Sequence, residues 1–434
     1  MYVLFTSVPL VGHANPLLRQ AEELQRRGHR VAFAGARDFE RHVTTDAPTV
    51  SFLDLGPLGP IADALHRAQV EASRDPMFLR NSIRILDALW PTWLSMYDGV
   101  SAAIAADRPD VAVVDLFSTG GLTAADTAGV PCVVNNPVLL AALSVKLLPP
   151  ADHLPFPFSG RARHQVRAWN RMTAPLVRHA VAIGASILAG RRLNRLRASR
   201  NLPPIDVHEL HRHRQVLVDG AFGVEYERPL PPNVAMVGSM VSPRTPPLPP
   251  DLDAWLSTGP PVVFVSLGSL AVAPARQLAR MAAAFTNDAF RTLWSLKPDQ
   301  AALLPASATS SLRMLDWAPQ AAVLAHPNVK AFVSHCGANS VYESVHAGTP
   351  IVGIPMFGDQ QDMALRVADA GIGVWLDKRT FTAEELRAAI LRVLHDEAFG
   401  DAMASVQRAV AAAGGVRRAA DLIEAQARTP QLTV

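Results

Sequence analysis

The stretch "KAFVSHCGANSVYESVHAGTPIVGIPM", residues 330–356, holds two apolar runs around a segment dense in polar side chains. The first run ends at His335 and the second, "PIVGIPM", begins at Pro350. Short apolar runs bounded by turn residues read as buried strands, and the residues between them read as a helix starting near Asn339. No hydrophobic core has a use for His335, Asn339, Ser340 and Glu343 within two turns. Gly337 lets a backbone approach closely, and the first helical turn offers unpaired N–H groups at the positive end of the helix dipole. Asn339, Ser340 and His335 add side-chain donors at the same place. Such a place suits a phosphate.

The neighbouring residues extend that reading. Glu343 lies one turn further along, where a carboxylate can accept from two ribose hydroxyls. "GDQQD" follows the second strand, so Asp359 and Gln360 sit at a strand's carboxyl end, able to bind sugar hydroxyls. Upstream, "LDWAPQ" (315–320) sets Trp317 and Gln320 just after another strand-like run, where an indole can stack on a base.

The same alternation fills most of the chain. "YVLFTSV" (2–8), "HRVAFAGA" (29–36), "VSFLDL" (50–55), "VAVVDLF" (111–117), "PCVVNNP" (131–137) and "VLVDGAF" (216–222) read as strands of the first half. "VVFVSLGS" (262–269), "TLWSL" (292–296), "LRMLDW" (312–317) and "GVWLD" (373–377) join the two runs above in the second. Between the first two strands Leu17, Leu18, Ala21 and Leu24 share one helical face, and Gly28 stops the helix. That is a strand–helix–strand unit with parallel pairing. Residues 241–261 carry seven prolines and read as an extended linker without helix or central strand.

The expected architecture is α/β: two Rossmann-like doubly wound domains facing across a cleft. The first spans 1–240 and the second 262–415, with the linker between them. Segment 416–434 reads as a helix able to pack back on the N-terminal domain. Ligands of such sheets bind outside the strands' carboxyl ends.

Composition narrows the function classes. A chain of 434 residues is long for one core, and 49% hydrophobic residues can fill two. Only 18% of residues are charged and the net charge is +3, which gives no sign of nucleic-acid binding. Cys132 and Cys336 cannot build a disulfide framework, and the N-terminus reads as a first strand rather than a secretion signal. A cytoplasmic protein without spanning helices is the expectation, as monomer or homodimer. Residues 161–200 stand apart, with ten arginines and no acidic residue around the apolar "AVAIGASILAG". They read as a solvated helical face, a peripheral membrane contact or an attraction for an anionic acceptor.

Taken together, residues 317–360 resemble the nucleotide-sugar signature of the UDP-glycosyltransferase superfamily (glycosyltransferase family 1, GT-B fold). The matching elements are W-A-P-Q, H-P-N-V, H-C-G-x-N-S-x-x-E-S, A-G-T-P and D-Q, and the weaker likeness covers essentially the whole chain. The resemblance implies that Trp317 stacks on uracil, that Gln320 lies near base and ribose, and that Glu343 holds the ribose hydroxyls. It implies that His335, Gly337, Asn339 and Ser340 contact the diphosphate, with Asp359 and Gln360 on the donor sugar. The "SLGS" turn matches a small-residue loop of the family, which would set Ser269 toward the phosphates beside Gly268.

"GHANP" (12–16) follows the first strand and matches the family's G-H-x-x-P, setting His13 at a strand's carboxyl end. A histidine there can take a proton from an acceptor hydroxyl. Asp115 ends "VAVVD" and could hold the imidazole's other nitrogen. Implied, then, is inverting, metal-independent transfer of a sugar, glucose by preference, from a UDP-sugar co-substrate to a hydroxyl of a hydrophobic small molecule. No tightly bound cofactor and no metal are called for. Phe78, Ile83, Trp90 and Trp93 are candidates for an apolar acceptor pocket, although their near-helical spacing also fits core packing. Ala338 stands where many plant members have Trp, which leaves the sugar open. Many bacterial antibiotic glycosyltransferases that use dTDP-deoxysugars lack the glutamate that Glu343 supplies, so UDP is favoured and a dTDP donor is the second reading. A non-catalytic auxiliary of the same fold is a third, from another class, and a sugar-nucleotide epimerase a fourth. The Ala/Arg-rich composition suggests a bacterial enzyme of natural-product type.

Overall fold

The computed structural model describes residues 1–428 except 76–77, 144–145, 152, 156–158, 167, 242–246, 269–270 and 305–310. Two all-parallel sheets organise it. In the first, strands β1 (Tyr2–Thr6), β2 (Arg30–Gly35), β3 (Ser51–Asp54), β4 (Val111–Asp115), β5 (Cys132–Asn136), β6 (Gln215–Val218) and β7 (Val234–Met236) lie in the order β3-β2-β1-β4-β5-β6-β7. In the second, β8 (Val262–Ser266), β9 (Arg291–Ser295), β10 (Leu312–Leu315), β11 (Val329–Ser334), β12 (Ile351–Gly353) and β13 (Gly373–Trp375) run β10-β9-β8-β11-β12-β13. β1, β4, β5 and β8 are buried at every residue, which is why each opens on a continuous apolar run rather than an alternation, with polar residues only at the carboxyl end. Strand order reverses between β1 and β4 in one sheet and between β8 and β11 in the other. Those reversals open the crevices at carboxyl ends where doubly wound folds hold ligands.

Every strand expected from the sequence is present, and β7 is additional. Its three residues, in "PPNVAMVG", are too few to show a period. The first connecting helix, Val11–Arg26, buries Leu17, Leu18, Ala21 and Leu24 against Val3, Phe5, Val31 and Phe33. Gly28 ends it with φ of +87°, a conformation that side chains resist. The helix Gly415–Ala427 adds Ala419, Ala420 and Ile423 to the same core. Arg27 pairs with Asp421 at 2.7 Å, and the His29 ring meets Glu424 at 2.9 Å.

The chain divides into two compact units, 1–63 with 88–240 and 410–434, and 64–87 with 241–409. Residues 64–87, expected in the N-terminal domain, therefore belong to the second unit. The reason is local: Ala72 and Ile85 pack into its core beside Val265, Trp294 and Phe357. The Val272 amide donates to Ser73 Oγ at 3.2 Å. Lys378, buried, donates to the carbonyls of Ser73 (2.9 Å), Asp75 (3.1 Å) and Met356. Burial lowers its pKa to about 8, so it is still a cation at neutral pH. Lys378→Met leaves three carbonyls without that donor and is expected to destabilise the second unit by about 2–4 kcal/mol. Lys378→Arg should recover part of the loss in urea unfolding. An unchanged midpoint for Lys378→Met would show that apolar packing alone holds residues 64–87.

The proline-rich stretch also departs from expectation. Residues Pro250–Leu256 form a helix, with Pro250 at its first position, where the missing N–H costs nothing. Asp251 and Asp253 favour its positive end, and Leu252 and Leu256 are buried against Val262 and Phe264. Seven prolines had suggested an extended chain, but two of them flank a helical start.

Candidate active site

In the first unit, the turn after β1 runs straight into the helix Val11–Arg26, so His13 lies in its first turn. β4 ends on Asp115, next to β1 in the sheet. The two side chains meet, with His13 Nδ1 at 2.7 Å from Asp115 Oδ1, His13 8% exposed and Asp115 1%. The other carboxylate oxygen accepts from the Phe117 amide at 3.2 Å, and the Phe117 ring lies 5.1 Å from the imidazole. A carboxylate on Nδ1 fixes the tautomer and leaves Nε2 as the basic atom.

A second polar cluster, which the sequence reading missed, shares that face of the sheet. Asn135 pairs in register with Asp115, and Asn135 Nδ2 donates to Asp219 Oδ2 at 2.6 Å. Gln20 Nε2, two turns along the helix from His13, donates to Asn135 Oδ1 at 2.6 Å. Burial holds the Asp219 carboxyl well above the usual carboxylate range, with Asn135 opposing and the Asp115 charge adding. The signal was available: "VLVDG" repeats the strand-then-aspartate form of "VAVVD", and Gln20 interrupts an apolar helical stripe.

In the second unit, β8 and β11 run side by side and their carboxyl ends carry the glycines. A Cβ on Gly268 would lie 2.7 Å from His335 Nε2, and one on Gly337 2.5 Å from the same atom. The imidazole thus fits only because both neighbours lack side chains. Its Nδ1 is buried with no hydrogen-bond partner among the described residues. Burial lowers its pKa to about 4, so it is neutral and carries one N–H. Cys336 turns the chain with φ of +60°, unusual for a residue other than glycine, and Gly337 caps the helix Ala338–Ala347 with its backbone alone. As a glycine, the N-cap residue offers no side chain to the first amides of that helix.

The same helix gathers three of the expected residues. Gln320 opens the helix Gln320–Leu324, and its Nε2 donates to Ser340 Oγ at 3.0 Å and to Glu343 Oε2 at 2.5 Å. Asn339 lies in the same first turn as Ser340. Trp317 follows β10 and is 72% exposed, so the core does not claim it. Asp359 precedes the helix Gln360–Asp369, and Gln360 is buried, with Oε1 accepting from the amides of Met356 (2.9 Å) and Phe357 (3.0 Å). That oxygen holds its own loop. Ser269 lies outside the described residues.

The four acceptor candidates are divided between the two units. Phe78 and Ile83 belong to the second unit, in the helix Phe78–Leu89, with Ile83 exposed and the Phe78 side chain outside the described ones. Trp90 and Trp93 belong to the first. Trp93 is not a lining residue: it is 2% exposed in the core and stacks on Tyr97 at 5.2 Å. Trp90 packs on the same core, with the Arg192 guanidinium 5.8 Å from its ring. Among the described residues no cluster of three or more His, Cys, Asp or Glu could hold a metal ion.

Two all-parallel Rossmann-like sheets, each with polar groups at its switch point, define a protein of the GT-B class. Solved structures agree in fold: the glycotransferase of kitacinnamycin superposes with a TM-score of 0.74 at 22% identity, over 98% of both chains. A UDP-glucosyltransferase from Polygonum tinctorium gives 0.69 at 22%, over 99% of this chain and 98% of that one. The chain belongs to the UDP-glucoronosyl and UDP-glucosyl transferase family, whose profile matches residues 98–408. Among curated relatives, UDP-glucuronosyltransferase 3A1 of Mus musculus is 34% identical over 190 residues, 42% of this chain and 35% of that protein. The 2-hydroxyacylsphingosine 1-beta-galactosyltransferase of Homo sapiens is 28% identical over 68% of this chain and 54% of its own length. The chain thus spans about half or less of these first relatives. A UDP-glycosyltransferase of Talaromyces amestolkiae is 26% identical over 95% of this chain and 84% of its own.

Proposed function

We propose that this protein is an inverting, metal-independent glycosyltransferase that moves a sugar, glucose by preference, from a UDP-sugar to a hydroxyl of a hydrophobic small molecule. The observation that carries the reading is the buried His13–Asp115 pair at 2.7 Å, at the switch point of its sheet. His13 Nε2 takes the proton of the acceptor hydroxyl as its oxygen attacks the anomeric carbon. The bond from that carbon to the diphosphate breaks in the same step, UDP leaves with the electron pair, and the configuration inverts. Asp115 holds the ring and stabilises the imidazolium.

Negative charge growing on the diphosphate is met by the amides at the start of helix Ala338–Ala347, by Asn339, Ser340 and His335, and by Ser269. With that helix end in place, no divalent ion is required. Trp317 stacks on uracil, Gln320 and Glu343 hold the ribose, and Asp359 with the Gln360 amide holds the sugar. The unclaimed exposure of Trp317 supports the first of these assignments. A lipophilic alcohol such as a polyketide or flavonoid is the acceptor class, in a natural-product setting. Both cysteines are buried and unpaired, which suits a reducing, cytoplasmic compartment.

The test is UDP release from a panel of UDP-sugars with a library of lipophilic alcohols, with and without EDTA. Turnover that depends on the alcohol and survives EDTA is expected. Turnover with dTDP-sugars alone would move the assignment to the dTDP-deoxysugar class. Donor binding without turnover across a broad acceptor library would favour a non-catalytic auxiliary.

A further inference from the structure

The helix Ala168–Ala185 continues through a π-helical turn, Ser186–Gly190, into the helix Arg191–Ala198. From Met172 to Ala198 the run is long and apolar enough to cross a membrane, and almost none of its most apolar stretch is buried. One stripe holds it to the first unit. Ala182, Gly190, Leu193 and Arg197 are buried, Leu193 lies in the core, and His208 Nε2 reaches the Ala182 carbonyl at 3.1 Å. These residues recur at helical spacing and mark the inner face.

The outer half is apolar and open. Met172 (75% exposed), Leu176 (72%), Ile183 and Ile187 follow one line at spacings of a helical face, with Val177, Val181 and Leu188 (68%) beside them. Arg191 and Arg195, both exposed, continue the outer arc at its carboxyl end, and Arg161 and Arg163, also exposed, precede the helix. No acidic residue occurs anywhere in 161–200, against ten arginines. A span across the bilayer is at odds with an inner stripe held in a folded unit along residues 182–197. A second copy packed face to face would bring like charges together with no carboxylate from this segment to meet them. An anionic surface with an apolar interior matches both features.

We propose that this face docks on an anionic membrane, the helix lying in the headgroup plane with Met172, Leu176, Ile187 and Leu188 inserted and the exposed Arg191 and Arg195 on lipid phosphates. None of the residues assigned to sugar transfer lies within 161–200, and vesicle binding is read without turnover, so failure of the test leaves that reading untouched. Flotation of the whole protein is measured with vesicles of phosphatidylcholine alone and with phosphatidylglycerol added, at low and high salt. Binding is expected only with the anionic lipid, weakened by salt, and reduced at least ~10-fold in Leu176→Asp/Leu188→Asp. Arg191→Gln/Arg195→Gln, which leaves the apolar arc intact, should weaken binding and flatten its salt dependence. Thermal unfolding shows that each variant is folded. Absence of binding to anionic vesicles, or equal binding by wild type and both variants, would overturn the proposal. So would a dimer in sedimentation velocity that Leu176→Asp/Leu188→Asp abolishes, because the face would then belong to a second copy.

Discussion

His13→Ala is expected to lower kcat for sugar transfer to an alcohol by roughly 10²–10⁴-fold, the usual worth of a positioned general base. The donor KM should stay within about twofold, because His13 and the residues proposed to hold uridine belong to different units. Asp115→Asn is the companion variant. It keeps the hydrogen-bond distance but removes the charge that orients Nδ1, and should lose a comparable factor. Two readouts separate this from misfolding: an unchanged thermal midpoint, and retained binding of UDP by calorimetry. Transfer at the wild-type rate in His13→Ala would show that the pair is structural.

The second large effect concerns the donor. Glu343→Ala should raise the Kd for UDP about 10–100-fold, the loss of one or two hydrogen bonds to a charged acceptor. Gln320 also loses the shorter of its two bonds, at 2.5 Å, so its side chain is freed from one side. Glu343→Gln keeps the shape and should fall between. Inorganic diphosphate gives the control, since the backbone of the first helical turn does not depend on the Glu343 side chain. Equal weakening of UDP and diphosphate would place the damage in the helix rather than at the ribose.

Strand positions were legible because buried parallel strands are written as continuous apolar runs, and the functional residues follow them in sequence. "VKAFVS" before His335 and "VAVVD" ending on Asp115 are of that kind. What the sequence concealed depends on distant partners. Trp93 has the same local spacing whether it lines a pocket or fills a core, and only the stacking on Tyr97 decides. The proline count in 241–261 masked the apolar pair Leu252 and Leu256, whose burial needs β8 to be in place. The glycine cradle around His335 joins residues 268 and 337, separated along the chain and adjacent only through the pairing of β8 with β11. Gln320 reaching Ser340 and Glu343 is invisible for the same reason.

The assignment of residues 64–87 to the second unit and of 410–428 to the first has a consequence for biosynthesis. Neither unit is a contiguous length of chain. As the ribosome works from the amino end, Ala72 and Ile85 emerge early, yet their core is made only after roughly 300 further residues, some tens of seconds at ordinary elongation rates. The first sheet likewise waits for Ala419, Ala420 and Ile423 to cover the helix Val11–Arg26. A nascent chain therefore carries two unfinished cores until the helix Gly415–Ala427 leaves the exit tunnel. Cutting within the proline-rich stretch would not release two self-sufficient halves, and co-expressed fragments would have to reassemble through segments each has lent to the other.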